Sequence, residues 1–261
     1  MSSILDIRKL TKNFGGLCAV RDVSFDIPEG QLRALIGPNG AGKTTIINMI
    51  AGALKPSEGE ILFRQKPIGG LAPHRIAGLG IIRTFQNVNL FNQLTVAENV
   101  LIGQHMRCRT NTIGFVLGVP SAQKAERATR RDADDIMEWM DLGADANRRA
   151  SELPFGKQRS VEIARALAAK PQLLLLDEPV AGLTAEESNK LGAFLKRVCR
   201  EAGITVLLVE HNMQLVMDFA DRIAVLDFGE LIAEGTPEQV RKNPTVIKAY
   251  LGKERGGDVE G

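Results

Sequence analysis

GPNGAGKTT, Gly37 to Thr45, follows the apolar run LRALI of Leu32 to Ile36 and precedes the helix-like run IINMIAGAL. It fits the pattern of a phosphate-binding loop: Gly, four residues, then Gly-Lys followed by Ser or Thr. Glycines at 37, 40 and 42 let the backbone turn tightly and aim successive N–H groups inward, where the N-terminus of the following helix adds positive potential. Gly37, Pro38, Asn39, Gly40, Ala41, Gly42, Lys43, Thr44 and Thr45 together form the expected cradle. Within it Lys43 reaches the β- and γ-phosphates of a nucleotide, and Thr44 ligates Mg²⁺. The plainer alternative, a Gly-rich turn in a strand-to-helix unit, is outweighed because the eight-position pattern sits in the strand and helix context that confirms it.

Outward from this loop the chain alternates strands and helices. Ile4 to Phe14 and Ala19 to Ile27 read as strands, with Val23, Phe25 and Ile27 alternating with Ser24 and Asp26. Phe14 ends a polar segment just before Gly15 and Gly16, a place from which an aromatic ring can stack on a base. After the loop helix come a turn at KPSEG, a short strand from Glu60 to Phe63, and a Gly- and Pro-rich loop up to Pro73. IIRTF then runs as a strand into a polar break at Gln86 and Asn87. An amide oxygen at Gln86 can complete a Mg²⁺ shell and report nucleotide state to whatever contacts Asn87 to Phe91. TVAENVLIGQHM has helical spacing, Arg107 to Pro120 is an irregular link, and Ser121 to Met140 is a charged helix with Ile136, Met137 and Met140 on its buried side.

From Leu153 onward the alternation is regular. PFGKQRSVEIARALAAK reads as a helix, Leu173 to Leu176 as a buried strand delivering Asp177 and Glu178, and Ile204 to Val209 as another ending at Glu210 and His211. Strands as continuously apolar as LLLL and TVLLV imply a parallel sheet covered on both faces. A carboxylate at such a strand end binds Mg²⁺, and its neighbour polarises the attacking water, which assigns Asp177 to the metal and Glu178 to the water. His211 is placed to donate to a γ-phosphate and hold that water. His74 and His105 receive no chemistry.

Bulk properties narrow the classes further. At 261 residues the chain suffices for one large α/β domain or a core with a small subdomain, and a net charge of +2 shows no nucleic-acid footprint across the surface. Cys18, Cys108 and Cys199 lack metal-ligand or CxxC spacing, which predicts reduced thiols in a cytosolic compartment. No stretch reaches the roughly 18 uninterrupted apolar residues of a spanning helix, so work at a membrane requires another component to hold the protein there.

GPNGAGKTT, RTFQ, the LPFGKQR helix start, LLLLDEP and LLVEHNM resemble, in that order, the motifs of the ATP-binding-cassette (ABC) ATPases, from about Ile4 to Leu251. GGLCAVRDVSF, HRIAGLGIIRTFQNVNLF, the link at Arg107 to Pro120 and the ending GTPEQVRKNPTVIKAYLG are similar to the ATPase subunits of branched-chain amino-acid importers. Cassettes for urea import or lipopolysaccharide export share several of these stretches, and a soluble cassette acting on DNA or ribosomes is the alternative outside transport. The resemblance implies a P-loop α/β fold with a mostly parallel core sheet, an antiparallel β-subdomain and a helical subdomain at roughly 88–169, all within one domain of residues 1–251. Residues 252–261 are expected to be a flexible tail.

It further implies ATP and Mg²⁺ as ligands, Phe14 stacked on adenine, Lys43 and Thr44 on phosphate and metal, Gln86 and Asp177 completing the metal shell, Glu178 as base and His211 as switch histidine. Two cassettes meet head to tail, each ATP lying between one phosphate loop and the other chain's signature. The signature, LSGGQ in the common pattern, here reads Leu153, Pro154, Phe155, Gly156, Lys157, with Gln158 following, so a serine hydroxyl is missing. Pro154 suits a first helical turn. Thr184 stands where the family commonly has Asp. The implied partners are a second ATPase subunit of different sequence, two transmembrane permease subunits and a periplasmic or extracellular substrate-binding protein, with the chain at the cytoplasmic face of the inner membrane.

Overall fold

The computed structural model describes residues 3–84, 88–104 and 120–254. Strand β3, Leu32–Ile36, is the spine: every one of its residues is buried, and it pairs in parallel with β8, Thr205–Val209, and with β9, Arg222–Asp227. β7, Leu173–Asp177, and β6, Ile81–Arg83, extend the parallel sheet on one side, and β10, Glu230–Gly235, adds an antiparallel edge on the other, giving the order β10-β9-β3-β8-β7-β6. A second, antiparallel sheet has the order β2-β1-β4-β5, built from Ser3–Phe14, Leu17–Pro28, Glu58–Phe63 and Lys66–Pro67 as β1, β2, β4 and β5.

The strand period of two sorts side chains into two cores. Leu35, Leu173, Leu175, Leu207, Val209, Ala224 and Leu226 face one side, where they meet helix α1, Lys43–Ile50, and the antiparallel sheet. Leu32, Ala34, Ile36, Leu174, Leu176, Val206 and Leu208 face the other, packed against helices α5 (Phe155–Ala168), α6 (Ala185–Ala202) and α7 (Met213–Phe219). A sheet covered on both faces explains why these strands are apolar throughout.

A third core joins α3, Val96–Gly103, and α4, Pro120–Trp139, to the outer face of α5, through Val96, Val100, Met137, Leu153 and Val161. Two short helices, α8 (Pro237–Arg241) and α9 (Pro244–Glu254), end the chain.

Three local expectations change. The Gly- and Pro-rich loop before Ile81 contains helix α2, Pro73–Gly78, with Pro73 in its first turn, where a missing N–H costs nothing. The strand expected from IIRTF stops at Arg83, where parallel pairing with β7 ends. The expected strand Glu60 to Phe63 begins earlier, at Glu58, because β1 continues as its partner through Thr11. Gln86, His105, Cys108 and most of the Arg107 to Pro120 link lie outside the described residues.

Candidate active site

The carboxyl ends of β3, β7 and β8 lie side by side, and the candidate residues leave the sheet there. Register places Leu35 opposite Val209 and Asp177 opposite Val209, and beyond it the Glu178 N–H donates to the Val209 carbonyl at 2.8 Å. The loop after β3 turns at Gly37, Gly40 and Gly42, all with positive φ. At Gly42 (φ 96) a Cβ would lie 2.7 Å from the Ala19 carbonyl oxygen, so this position excludes any side chain. At Gly40 (φ 81) nothing lies within 4 Å of where a Cβ would point. Lys43 is buried at 6% exposure, and its Nζ donates to the Gly37 carbonyl at 2.6 Å and the Pro38 carbonyl at 3.0 Å, bracing the loop from within. Thr44 is exposed in the first turn of α1, a turn with no acidic residue.

Asp177 is 3% exposed and accepts from Arg83 Nη2 at 3.0 Å; Arg83 also donates to the Asn48 side chain of α1. Burial pushes the Asp177 carboxyl above its ordinary range, against the pull of the Arg83 guanidinium. Glu178 follows with φ 48, and His211 Nδ1 stands 3.4 Å from Glu178 Oε1. Glu210, directly before His211, is fully buried, and its carboxylate accepts from the amides of Val180 at 3.2 Å, His211 at 3.1 Å and Asn212 at 3.3 Å. A triphosphate with a divalent cation fits this donor set: an open loop of glycines, a lysine, an exposed hydroxyl at a helix start and a buried carboxylate beside it.

Phe14 ends β1 at 45% exposure, with Lys12 Nζ 5.1 Å from its ring centre. On the far side of the chain the signature stretch Leu153 to Gln158 starts α5. Pro154 is not in the first helical turn: with φ −56 and ψ 151 it is the N-cap, its carbonyl accepting the Gln158 N–H at 3.0 Å, because an extended ψ lies outside the helix. Phe155 is 46% exposed, whereas Lys157 turns back to pair with Asp145 and the Gln158 side chain donates to the Leu153 carbonyl at 2.9 Å. Thr184 caps α6 in a reciprocal box with Glu187, the hydroxyl accepting from the Glu187 amide at 3.2 Å, a duty that Asp also performs at a helix start.

Residues 20–181 match the protein family described as ABC transporter. The chain belongs to the ATP-binding-cassette transporter family. Residues 230–255 match a second family, described as branched-chain amino acid ATP-binding cassette transporter. The chain is 45% identical over 250 residues to the high-affinity branched-chain amino acid transport ATP-binding protein BraF of Pseudomonas aeruginosa, covering 96% of this chain and 98% of that one. It is 43% identical over 250 residues to the corresponding protein LivG of Escherichia coli strain K12, with the same coverage, 96% and 98%. Among solved structures, a nucleotide-free ABC transporter cassette superposes with a TM-score of 0.82 at 32% identity, covering 95% of this chain and 99% of that one. A cassette in its ADP conformation gives 0.84 at 32% identity, covering 97% and 100%.

As an ABC ATPase the chain carries two site-forming residues that its motifs did not single out. Arg83 stands three positions before Gln86 and was passed over as part of a strand. Its pairing with Asp177 depends on β6 lying next to β7, which no local pattern reports. Glu210 read only as a strand end. Its own turn brings the His211 and Asn212 amides and the adjacent end of β7 brings that of Val180, and the one available signal is a carboxylate directly after four buried apolar residues, Val206 to Val209.

Proposed function

We propose that this chain is the ATP-hydrolysing subunit of a membrane transporter for branched-chain amino acids. The observation that carries the chemistry is the convergence of phosphate loop, Asp177–Glu178 and His211 at adjacent strand ends in one register. The relatives' names and the match of residues 230–255 support the substrate class.

In this reading Phe14 stacks on adenine, the amides of Gly37 to Thr45 hold the phosphates and Lys43 turns from the loop carbonyls to the β- and γ-oxygens. Thr44, Gln86 and Asp177 would hold Mg²⁺, which would supply charge neutralisation to the phosphates. Glu178 takes the proton of the attacking water, and His211 fixes both the Glu178 carboxylate and that water. The Arg83 guanidinium favours the ionised Asp177 carboxyl, against the burial that pushes it up. Leu153, Pro154, Phe155, Gly156, Lys157 and Gln158 close over the ATP of a second cassette. Because Pro154 supplies no hydroxyl there, that second cassette is a different chain whose own signature serves this one.

Residues 1–251 form a single cassette with a helical subdomain at about 88–169, and helix α9 runs on to Glu254, past the expected start of the tail at 252. No helix among the described residues is long and apolar enough to cross a membrane. The chain sits at the cytoplasmic face on two permease subunits, which receive substrate from an external binding protein. The test is uptake of labelled leucine, isoleucine and valine in cells carrying Lys43→Ala in the chromosomal gene. Loss of all three, with restoration by the wild-type gene, is the expected result; unchanged uptake overturns the substrate assignment.

A further inference from the structure

A cavity of about 360 Å³ opens between the end of α4, the first turn of α5 and helix α6, a size at which small-molecule sites begin. Packed helices leave few gaps larger than a water molecule, and the side chains around this one are held in place by their own contacts. Its apolar lining includes Trp139, Leu142, Leu191 and Phe194. Trp139 and Phe194 meet edge to face, with ring centres 5.1 Å apart and planes at 65°, and the Arg197 guanidinium lies 5.5 Å from the centre of the Trp139 ring. Leu142 and Leu191 are buried beneath them. None of these residues has a part in the hydrolytic chemistry.

The charged lining carries both signs. Glu187 Oε2 accepts from the amide and the hydroxyl of Thr184, both at 2.9 Å. The other oxygen, Oε1, faces the opposite wall, where a Cβ on Gly156 would lie 2.3 Å from it. Lys190 and Arg197 supply the cations, each paired one turn away on its own helix, with Glu186 at 2.6 Å and Glu201 at 3.5 Å. All four of those side chains are exposed, and such pairs contribute little, so a ligand carboxylate can displace either carboxylate partner. A molecule that satisfies the whole lining has an ammonium for Glu187, a carboxylate for Lys190 or Arg197, and an aliphatic body for the leucines and aromatic rings. An α-amino acid with an apolar side chain has all three.

We infer that this cavity binds an aliphatic α-amino acid, and that the bound ligand ties the signature end of α5 to α6 and lowers ATP hydrolysis in the assembled transporter. Gly156 and Ser160 of α5 stand on one wall and Glu187 and Phe194 of α6 on the other, so a ligand across them resists any change in the angle between the two helices. The choice of leucine, isoleucine and valine among such ligands rests on the transporter reading.

Trp139 is the sole tryptophan of the chain, so its fluorescence reports occupancy of the cavity in the free protein. Titration with leucine should give a saturable change with a midpoint below about 1 mM. The 2-oxo acid of leucine, which lacks the ammonium, should need a concentration about tenfold higher. Glu187→Gln keeps the capping box with Thr184, since Gln serves there as well, and should raise the leucine midpoint by about tenfold. Arg197→Gln, at an exposed site, should do the same and carries the test if Glu187→Gln does not fold. No saturable change up to about 10 mM leucine, or equal midpoints for wild type and variants, overturns the site. In vesicles holding the complex with its ATPase subunits outward, leucine added outside should lower wild-type ATPase by about fivefold and that of Glu187→Gln by less than about twofold. Equal effects on the two, or none on wild type, overturn the restraint on hydrolysis. Saturable leucine binding together with unchanged uptake in Lys43→Ala cells supports the site and overturns the transporter reading instead.

Discussion

His211 Nδ1 lies 3.4 Å from Glu178 Oε1, across the gap between the ends of two adjacent parallel strands. Glu178 holds the left-handed φ of 48 that turns its carboxylate toward this gap, a conformation costing of order 1–3 kcal/mol for a non-glycine residue. Glu178→Gln, which removes the proposed base, should lower ATP hydrolysis by about 10²- to 10⁴-fold. Nucleotide affinity should persist, since the loop glycines and Lys43 are untouched. Phosphate release and titration with a fluorescent nucleotide check the two halves, and a rate above about a tenth of wild type removes Glu178 from the role.

His211→Ala should cost about 10²-fold in the same assay. His211→Gln should recover part of the loss, because an amide retains a donor for the carboxylate. Equal rates for the two variants would show that the histidine acts other than through hydrogen bonding.

Gly42→Ala places a Cβ 2.7 Å from the Ala19 carbonyl oxygen at φ 96, so either the loop or strand β2 must move. A loss of about 1–3 kcal/mol in urea unfolding, with weaker nucleotide binding, is expected. Gly40→Ala, whose Cβ meets nothing within 4 Å, should be strained only by its φ of 81 and should cost less.

Arg83→Met leaves Asp177 buried without its guanidinium and frees the Asn48 side chain. Breaking one side of such a pair costs about 3–5 kcal/mol, and urea unfolding at neutral pH measures it. A loss below about 1 kcal/mol would show that the pair is solvated in solution.

Burial, reinforced by the Asp221 charge, pushes the Cys199 thiol up to about 12. A folded value above the unfolded one means the neutral thiol favours the folded state. That stabilisation is fully present below the unfolded value of about 8.5 and is lost as pH rises from there through the folded value. Cys199 should therefore resist iodoacetamide at pH 8.5 in the native chain and react in urea, as peptide mass spectrometry would show. Of the two described cysteines, half-buried Cys18 should react first.

Pro154→Ser restores a hydroxyl at the N-cap of α5. In the assembled pair it should raise ATP affinity at the partner's phosphate loop and leave this chain's own affinity unchanged. No change at either site counts against a composite arrangement.

The sequence by itself determined the loop, the strands that bear it and the order of the candidate site side chains. Each of these is written in contiguous residues whose chemistry is local: glycines where the backbone must turn, apolar runs where a strand is covered on both faces, carboxylates and a histidine directly after such runs. The helix start at LPFGKQR was legible for the same reason, although its boundary was not, because one dihedral at Pro154 decides whether that residue is a cap or a first turn.

Only the tertiary structure decided which groups meet. Arg83 reaches Asp177 and Asn48, Glu210 gathers three amides, and Arg165 closes on the Asn89 carbonyl because strands and helices distant in sequence pack together. Such pairings leave no periodicity or spacing in the chain, since a buried polar group is specified by the partner that satisfies it and not by its neighbours in sequence.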